Sequence, residues 1–225
     1  MSDFTTWRSL IDGATIGAIP DSVVDNFNDF DDDPAGPYEE GDTLSTFYSG
    51  DTDTFERDDT SPVKFGSKSL KQDSNDKQII STPTDGLPRY PVQGEIIEYW
   101  VYGGENTDNG NNTLFGVQDS SNYYSVQLRE DADNFVIVKD GDAQETVSTS
   151  GQTPGEWQRV VIEWHDGSGG ESQGEIVVEV FDDDDNSLGS GSWNDNEYTD
   201  GGIGFGRGGT SGNGTWDSYE VTGTV

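Results

Sequence analysis

The sequence predicts an all-β sandwich or jelly roll built from two antiparallel sheets, on three observations. Apolar and aromatic residues recur with period two in many short runs. The runs stand roughly ten residues apart, divided by Asp, Asn, Gly and Pro turns, and no stretch has the spacing of a long helix. A chain of 225 residues has room for one such sandwich with an appendage.

The clearest run is 155–164, Gly-Glu-Trp-Gln-Arg-Val-Val-Ile-Glu-Trp. Val160, Ile162 and Trp164 fall on one side of a strand, with Trp157, Arg159, Val161 and Glu163 on the other. The run 175–181 repeats the pattern with Ile176, Val178 and Val180, and the two read as a hairpin across a Gly/Ser-rich loop.

At the N-terminus, Trp7, Leu10 and Ile11 sit at helical spacing before Gly13, and Ile16, Ile19, Val23 and Val24 add a further apolar patch. This segment is too short to bury its own apolar groups. It packs back on its own domain or docks on a neighbouring subunit. Residues 27–42, broken by Pro34, Gly36 and Pro37, read as a linker, so the expected division is an arm and linker over 1–42 and a sandwich over 43–225. Strands are expected at 44–48, 55–57, 63–70 with a turn or bulge at Gly66, and 79–80. The run 95–102 has apolar residues on both faces: Ile97, Tyr99 and Val101 on one, Ile96, Trp100 and Tyr102 on the other. That marks a central strand covered by the opposing sheet on one side and by loops, a ligand or another subunit on the other. Further strands follow at 113–117, 123–128, 134–138 and 143–147, with an acidic turn around Asp131 and Asp133. After the hairpin, 182–187 reads as a turn, and Tyr198, 203–206 and 215–221 supply the closing strands.

The chain carries 45 acids, 30 of them aspartate, against 11 bases, a net charge of −34. Such charge with low hydrophobicity ordinarily indicates disorder. Six Trp, nine Tyr and ten Phe set in patterned runs argue instead for a folded core under an acidic surface. With only five lysines, the composition points to molar salt, where the Debye length falls to about 3 Å and self-repulsion is screened. There is no basic stripe to neutralise phosphates, so neither nucleic acid nor an anionic membrane surface is an expected partner. Cysteine is absent, which removes disulfides, thiol nucleophiles and zinc–cysteine sites. The first residues carry no basic and apolar signal pattern, so synthesis and folding in the cytoplasm are expected.

Six segments, 61–70, 95–102, 157–164, 176–181, 202–206 and 216–221, resemble in order the landmark strands of a LamG-like domain. Their most specific elements are Gly-Glu-Trp-Gln-Arg-Val at 155–160 and the closing aromatic-Asp strand at 216–221. The resemblance covers about residues 43–225 and implies a concanavalin A-like jelly roll used for binding glycans or proteins. The leader at 5–22, coupled to this domain and this charge, is similar to structural proteins of tailed viruses of halophilic archaea.

Enzymatic chemistry finds little support along the strands. A retaining glycosidase needs two carboxyl groups about 5–5.5 Å apart. Glu175 and Glu179 share a face but stand four residues apart, about 13 Å, and Glu95 and Glu98 point to opposite faces. Aspartates spaced by two, Asp131 with Asp133 and Asp182 with Asp184, sit in turns where solvated acids are the rule. His165, the sole histidine, cannot make a multi-histidine metal site, and no serine stands out as its nucleophilic partner. An EF-hand is excluded at Asp182, because Ser187 and Trp193 occupy the sixth and twelfth positions. A looser Ca2+ site at a loop rim stays open, with no assignable ligands. No catalytic residue and no other cofactor is expected.

The candidate ligand-binding residues are the aromatics Trp100, Tyr102, Tyr123 and Trp193, whose rings could stack on sugars, anchor a protein or fill the core. The expectation is a non-enzymatic structural and adhesion protein on the surface of a haloarchaeal virion, as a vertex turret, spike or tail appendage. Its partners would be copies of itself, other virion proteins and a host surface glycan or glycoprotein. Trp7, Leu10, Ile11, Ile16 and Ile19 would form the assembly arm. The alternative is a carbohydrate-binding module or glycosidase of a halophilic archaeon.

Overall fold

The computed structural model describes residues 30, 43–60, 62–72, 79–82, 90–103, 110–207 and 214–225. Among these residues fourteen strands form two seven-stranded antiparallel sheets. They are β1 (Ser49–Gly50), β2 (Phe55–Asp58), β3 (Ser69–Gln72), β4 (Ile79–Ser81), β5 (Glu95–Gly103), β6 (Asn111–Asp119) and β7 (Asn122–Arg129). Then come β8 (Asn134–Lys139), β9 (Asp142–Ser148), β10 (Trp157–Trp164), β11 (Glu175–Phe181), β12 (Ser187–Asn194), β13 (Gly202–Arg207) and β14 (Gly214–Thr224). The first sheet runs β1-β4-β13-β6-β7-β8-β9 and the second β12-β11-β10-β5-β14-β3-β2. The chain is thus an all-β jelly-roll sandwich. Among the described residues, no helix is long and apolar enough to cross a membrane.

Alternation places the core between the sheets. From the second sheet Ile97, Tyr99, Val101, Val160, Ile162, Trp164, Ile176, Val178 and Val180 point inward and are buried. The first sheet answers with Phe115, Tyr124, Val126, Leu128, Phe135, Ile137, Ile203 and Phe205. The rings interlock edge to face, as quadrupole geometry favours. Trp164 of β10 meets Phe115 of β6 at 5.2 Å and Tyr124 of β7 at 6.0 Å, crossing the gap between the sheets. Gly116, at φ +60, makes room for this contact: a Cβ there would lie 3.2 Å from the Trp164 ring, and β6 changes register against β7 over the same stretch.

The β10–β11 hairpin pairs Val160 with Val180 and Ile162 with Val178, as expected from the sequence. β5 is the middle strand of the second sheet, between β10 and β14. Two expectations need correction. The segment 44–48 is a 3₁₀ turn at Leu44–Thr46 rather than a strand, with Leu44 and Tyr48 buried. Of 63–70 only Ser69 and Leu70 are strand, because the preceding residues fold as a loop over the outer face of the second sheet. The expected turn after Phe181 is present over 182–186, and it leads into β12, an edge strand whose Ser-Leu-Gly-Ser-Gly-Ser sequence hides its pairing with β11.

Phe30, within the expected linker, is fully buried against Phe205 at 5.8 Å. The arm residues Trp7, Leu10, Ile11, Ile16 and Ile19 lie outside the described residues.

Candidate ligand-binding face

The outward residues of the second sheet are set by strand alternation and register. On β5 they are Ile96, Glu98, Trp100 and Tyr102. Tyr102 is flanked by Trp157 of β10 and Thr215 of β14, and Thr215 in turn pairs with Lys71 of β3, which pairs with Glu56 of β2. The next row reads Phe181, Arg159, Trp100, Asp217, and the one after it Glu179, Val161, Glu98, Glu220.

Each row has its own chemistry. Tyr102 and Trp157, both partly exposed, meet edge to face at 5.5 Å. Trp100 is only 8% exposed, because the loop 62–68 lies over it. Phe65 packs edge-on at 6.0 Å, and the Lys64 ammonium sits 3.9 Å from the indole centroid while pairing with Asp183. The loop is held by Asp217, fully buried, whose Oδ2 accepts the backbone N–H groups of Lys64 at 2.8 Å and Phe65 at 3.1 Å. Arg159 spans Glu98 at 3.2 Å and Asp185 at 3.0 Å and lies 4.3 Å over the Phe181 ring. Burial raises the Glu98 pKa, and Arg159 only partly offsets it.

The sequence-selected aromatics therefore separate. Trp100 and Tyr102 share the outer face of β5. Tyr123 lies on the far side of the molecule, buried on the outer face of the first sheet with Leu114 and Val117. Trp193 points inward, against the core, and meets Tyr124 at 6.1 Å. It pairs with the inward residue Ile176, so β12 turns it away from the outer face. The residue that completes the aromatic pair, Trp157, was placed correctly on the less buried face of its strand. Its position opposite Tyr102 depends on the β5–β10 register, which no local pattern encodes.

The acids resolve into structural roles. Asp182 caps its turn, accepting N–H groups from Asp184 and Asn186, and the Asn186 bonds hold its carboxyl below the usual range. Glu95 is buried and accepts the Val92 N–H at 2.9 Å. His165 is buried, its Nε2 3.3 Å from Glu163. At one end of the sandwich the Tyr124 hydroxyl donates to Asp195, and Lys139 binds Asp195 at 2.8 Å and Glu197 at 2.5 Å. This network joins β8 of the first sheet to the loop leaving β12 of the second. Among the described residues no group of three or more His, Cys, Asp or Glu could hold a metal ion. One arrangement was invisible along the strands: Glu98 and Glu220 are direct partners across β5 and β14.

No protein-family model and no curated protein matches the sequence. Similarity appears at the level of the fold, a sandwich shared with an alginate lyase, an exoplasmic/lumenal domain and a GH43 protein. The alginate lyase of family PL-14 from Aplysia kurodai superposes with a TM-score of 0.54 at 11% identity, over 78% of this chain and 89% of that one. The exoplasmic/lumenal domain of VIP36, in its Ca2+/Man3GlcNAc-bound form, gives 0.51 at 8% identity over 79% and 83%. A mutant of the GH43 protein BlXynB from Bacillus licheniformis gives 0.50 at 11% identity, over 88% of this chain and 39% of that one.

Proposed function

We propose that the chain is a non-enzymatic recognition module that binds saccharide on the outer face of its second sheet. The observation that carries this reading is the partly exposed Trp157–Tyr102 pair, a rigid aromatic surface of the kind on which sugar rings stack, mounted on the two central strands. The Man3GlcNAc-bound VIP36 domain among its structural neighbours is in keeping with it. We place the module on the surface of a virus particle adapted to high salt, where many copies would multiply a weak contact with a host glycan or glycoprotein. The acidic surface and the leader at 5–22 support that placement. Glycan-array binding by the whole chain tests the site: Trp157→Ala should abolish binding with the near-UV circular dichroism of the core retained. Undiminished binding would sink it. Mass spectrometry of purified virions tests the placement, and finding the chain only among secreted cell proteins would overturn it.

One observation favours a second reading, a glycosidase. Directly opposed strand residues bring their Cβ atoms to about 4.5–5.5 Å, so Glu98 and Glu220 stand near the separation of a retaining pair. Burial raises the Glu98 pKa, as an acid catalyst needs. Against it, Arg159 engages Glu98 and favours its ionised form. Release of reducing sugar that disappears in Glu98→Gln would select this reading over the first.

A further inference from the structure

We infer that the saccharide held on this face is neutral, and that Arg159 and Asp185 grip a pair of its hydroxyls beside the Trp157–Tyr102 stack. The inference rests on the saccharide reading above and adds the polar half of the site and the class of ligand it takes.

Arg159 follows Trp157 by two residues on the outward side of β10, so the two side chains start about 6.6 Å apart. Its guanidinium lies 4.3 Å over the Phe181 ring and is fixed from two sides. Nε and Nη2 reach the same carboxylate oxygen of Asp185, Oδ1, at 3.1 and 3.0 Å, and Nη1 reaches Glu98 at 3.2 Å. Those contacts take one N–H from each nitrogen, which leaves the second N–H of Nη1 and of Nη2 for a ligand. Asp185 comes from the turn between β11 and β12, tied by Asp182 through the N–H groups of Asp184 and Asn186. At φ +63 it takes the left-handed conformation that Asp tolerates, and its side chain stays 65% exposed while touching the guanidinium. Its Oδ2 has no protein partner among the described residues. A rigid donor group and an open carboxylate oxygen thus stand side by side next to the stacking surface.

That arrangement is complementary to a diol. A pyranose laid with its C–H face on an indole directs its ring hydroxyls sideways, toward the residues beside the ring. Of two adjacent hydroxyls, one accepts from the guanidinium and the other donates to the carboxylate. Both bonds are charge-assisted and therefore among the stronger kind.

Charge sets the class of ligand. The grip itself holds two carboxylates, Glu98 and Asp185, against one guanidinium, and the next row adds Glu179 and Glu220. Elsewhere on the face Lys64 lies against Asp183, and Lys71 against Glu56 and Asp58. A uronate or sulfate entering beside Arg159 would meet Asp185 and Glu98 at contact range, where salt screens least. A hydroxyl meets no such opposition.

The test puts the full chain, at about 1 M KCl, on an array of gluco-, manno- and galacto-oligosaccharides and their counterparts oxidised at C6 to uronates. The tightest-bound neutral oligosaccharide and its oxidised counterpart are then titrated by calorimetry. The wild type should prefer the neutral ligand by about tenfold or more. An exposed residue at positive φ is one that Gly replaces without strain, so Asp185→Gly should keep the fold. It should weaken the neutral ligand about tenfold and tighten the uronate severalfold, because Arg159 then loses a matched carboxylate. A variant that merely disturbed the turn would weaken both. Arg159→Lys, which keeps the charge and loses the fork, should weaken the neutral ligand severalfold. Equal binding by the wild type, or preference for the uronates, overturns the inference and leaves the saccharide reading standing. The same holds if Asp185→Gly lowers both affinities together or moves neither. Failure of every oligosaccharide on the array to bind overturns both readings.

Discussion

Replacing Asp217 with Ala should undock the loop 62–68 from the outer face. Its carboxylate is fully buried and accepts two backbone N–H groups, from Lys64 and Phe65. Hydrogen bonds to a charged group contribute about 1.5–3 kcal/mol each, so an undisplaced loop would lose about 3–6 kcal/mol. Peeling the loop away lets water satisfy both donors. What is then lost is the docking itself, including the Phe65–Trp100 edge contact, about 0.5–1.5 kcal/mol, and the Lys64 cation–π contact, about 0.5–1 kcal/mol. The cheaper route sets the cost, and about 1–2.5 kcal/mol is expected in urea unfolding, with Asp217→Asn costing less because it keeps an acceptor. Undocking also uncovers Trp100, now 8% exposed, so acrylamide quenching of tryptophan emission should increase in Asp217→Ala and not in Asp217→Ala/Trp100→Phe. A variant within about 0.5 kcal/mol of wild type with unchanged quenching would refute the clamp.

Ile162 lies fully buried between the sheets, so Ile162→Ala should cost about 2–5 kcal/mol and Ile162→Asp should leave the chain unfolded at any salt, as circular dichroism will show. Burial works against the ionised Asp195, but bonds from Lys139 and Tyr124 outweigh it and depress its pKa. Its contribution is therefore present above the unfolded value of about 3.9 and fades as pH falls through the lower folded value. Lys139→Met should cost about 1 kcal/mol at neutral pH and flatten the stability profile below about pH 4; a profile as steep as wild type would contradict the network. At a net charge of −34, the thermal midpoint should climb between about 0.15 and 1 M KCl and level off above, once screening is complete, and a midpoint independent of salt would show that surface repulsion is not limiting.

What the sequence revealed and concealed follows from the range of the forces involved. Period-two alternation is local, so it distinguished the inward set Val160, Ile162, Trp164 from the outward set Trp157, Arg159, Val161 without knowledge of neighbours. Apolar character on both sides of 95–102 announced the middle strand β5, and the cover on its outer side is the loop carrying Lys64 and Phe65. Register is a long-range property. It put Trp157 beside Tyr102 and Glu98 beside Glu220, and neither pair leaves a trace in either segment alone. Glycine and serine weaken strand signals, which is why β12 carries no strand pattern and Trp193 reads as a stacking candidate when it packs inward. Asp217 stood out only as part of a closing aromatic-Asp pattern; its burial beneath a loop some 150 residues away in sequence gives that pattern a physical reason.

The most direct test of the central claim asks which face a saccharide touches. In ¹H–¹⁵N correlation spectra titrated with a saccharide bound by the whole chain, shifts should appear at the Trp157 indole N–H and at backbone amides of β5 and β10. The buried Trp164 and Trp216 indoles should stay still. Shifts gathered instead around Tyr123, Leu114 and Val117 on the opposite sheet would contradict it.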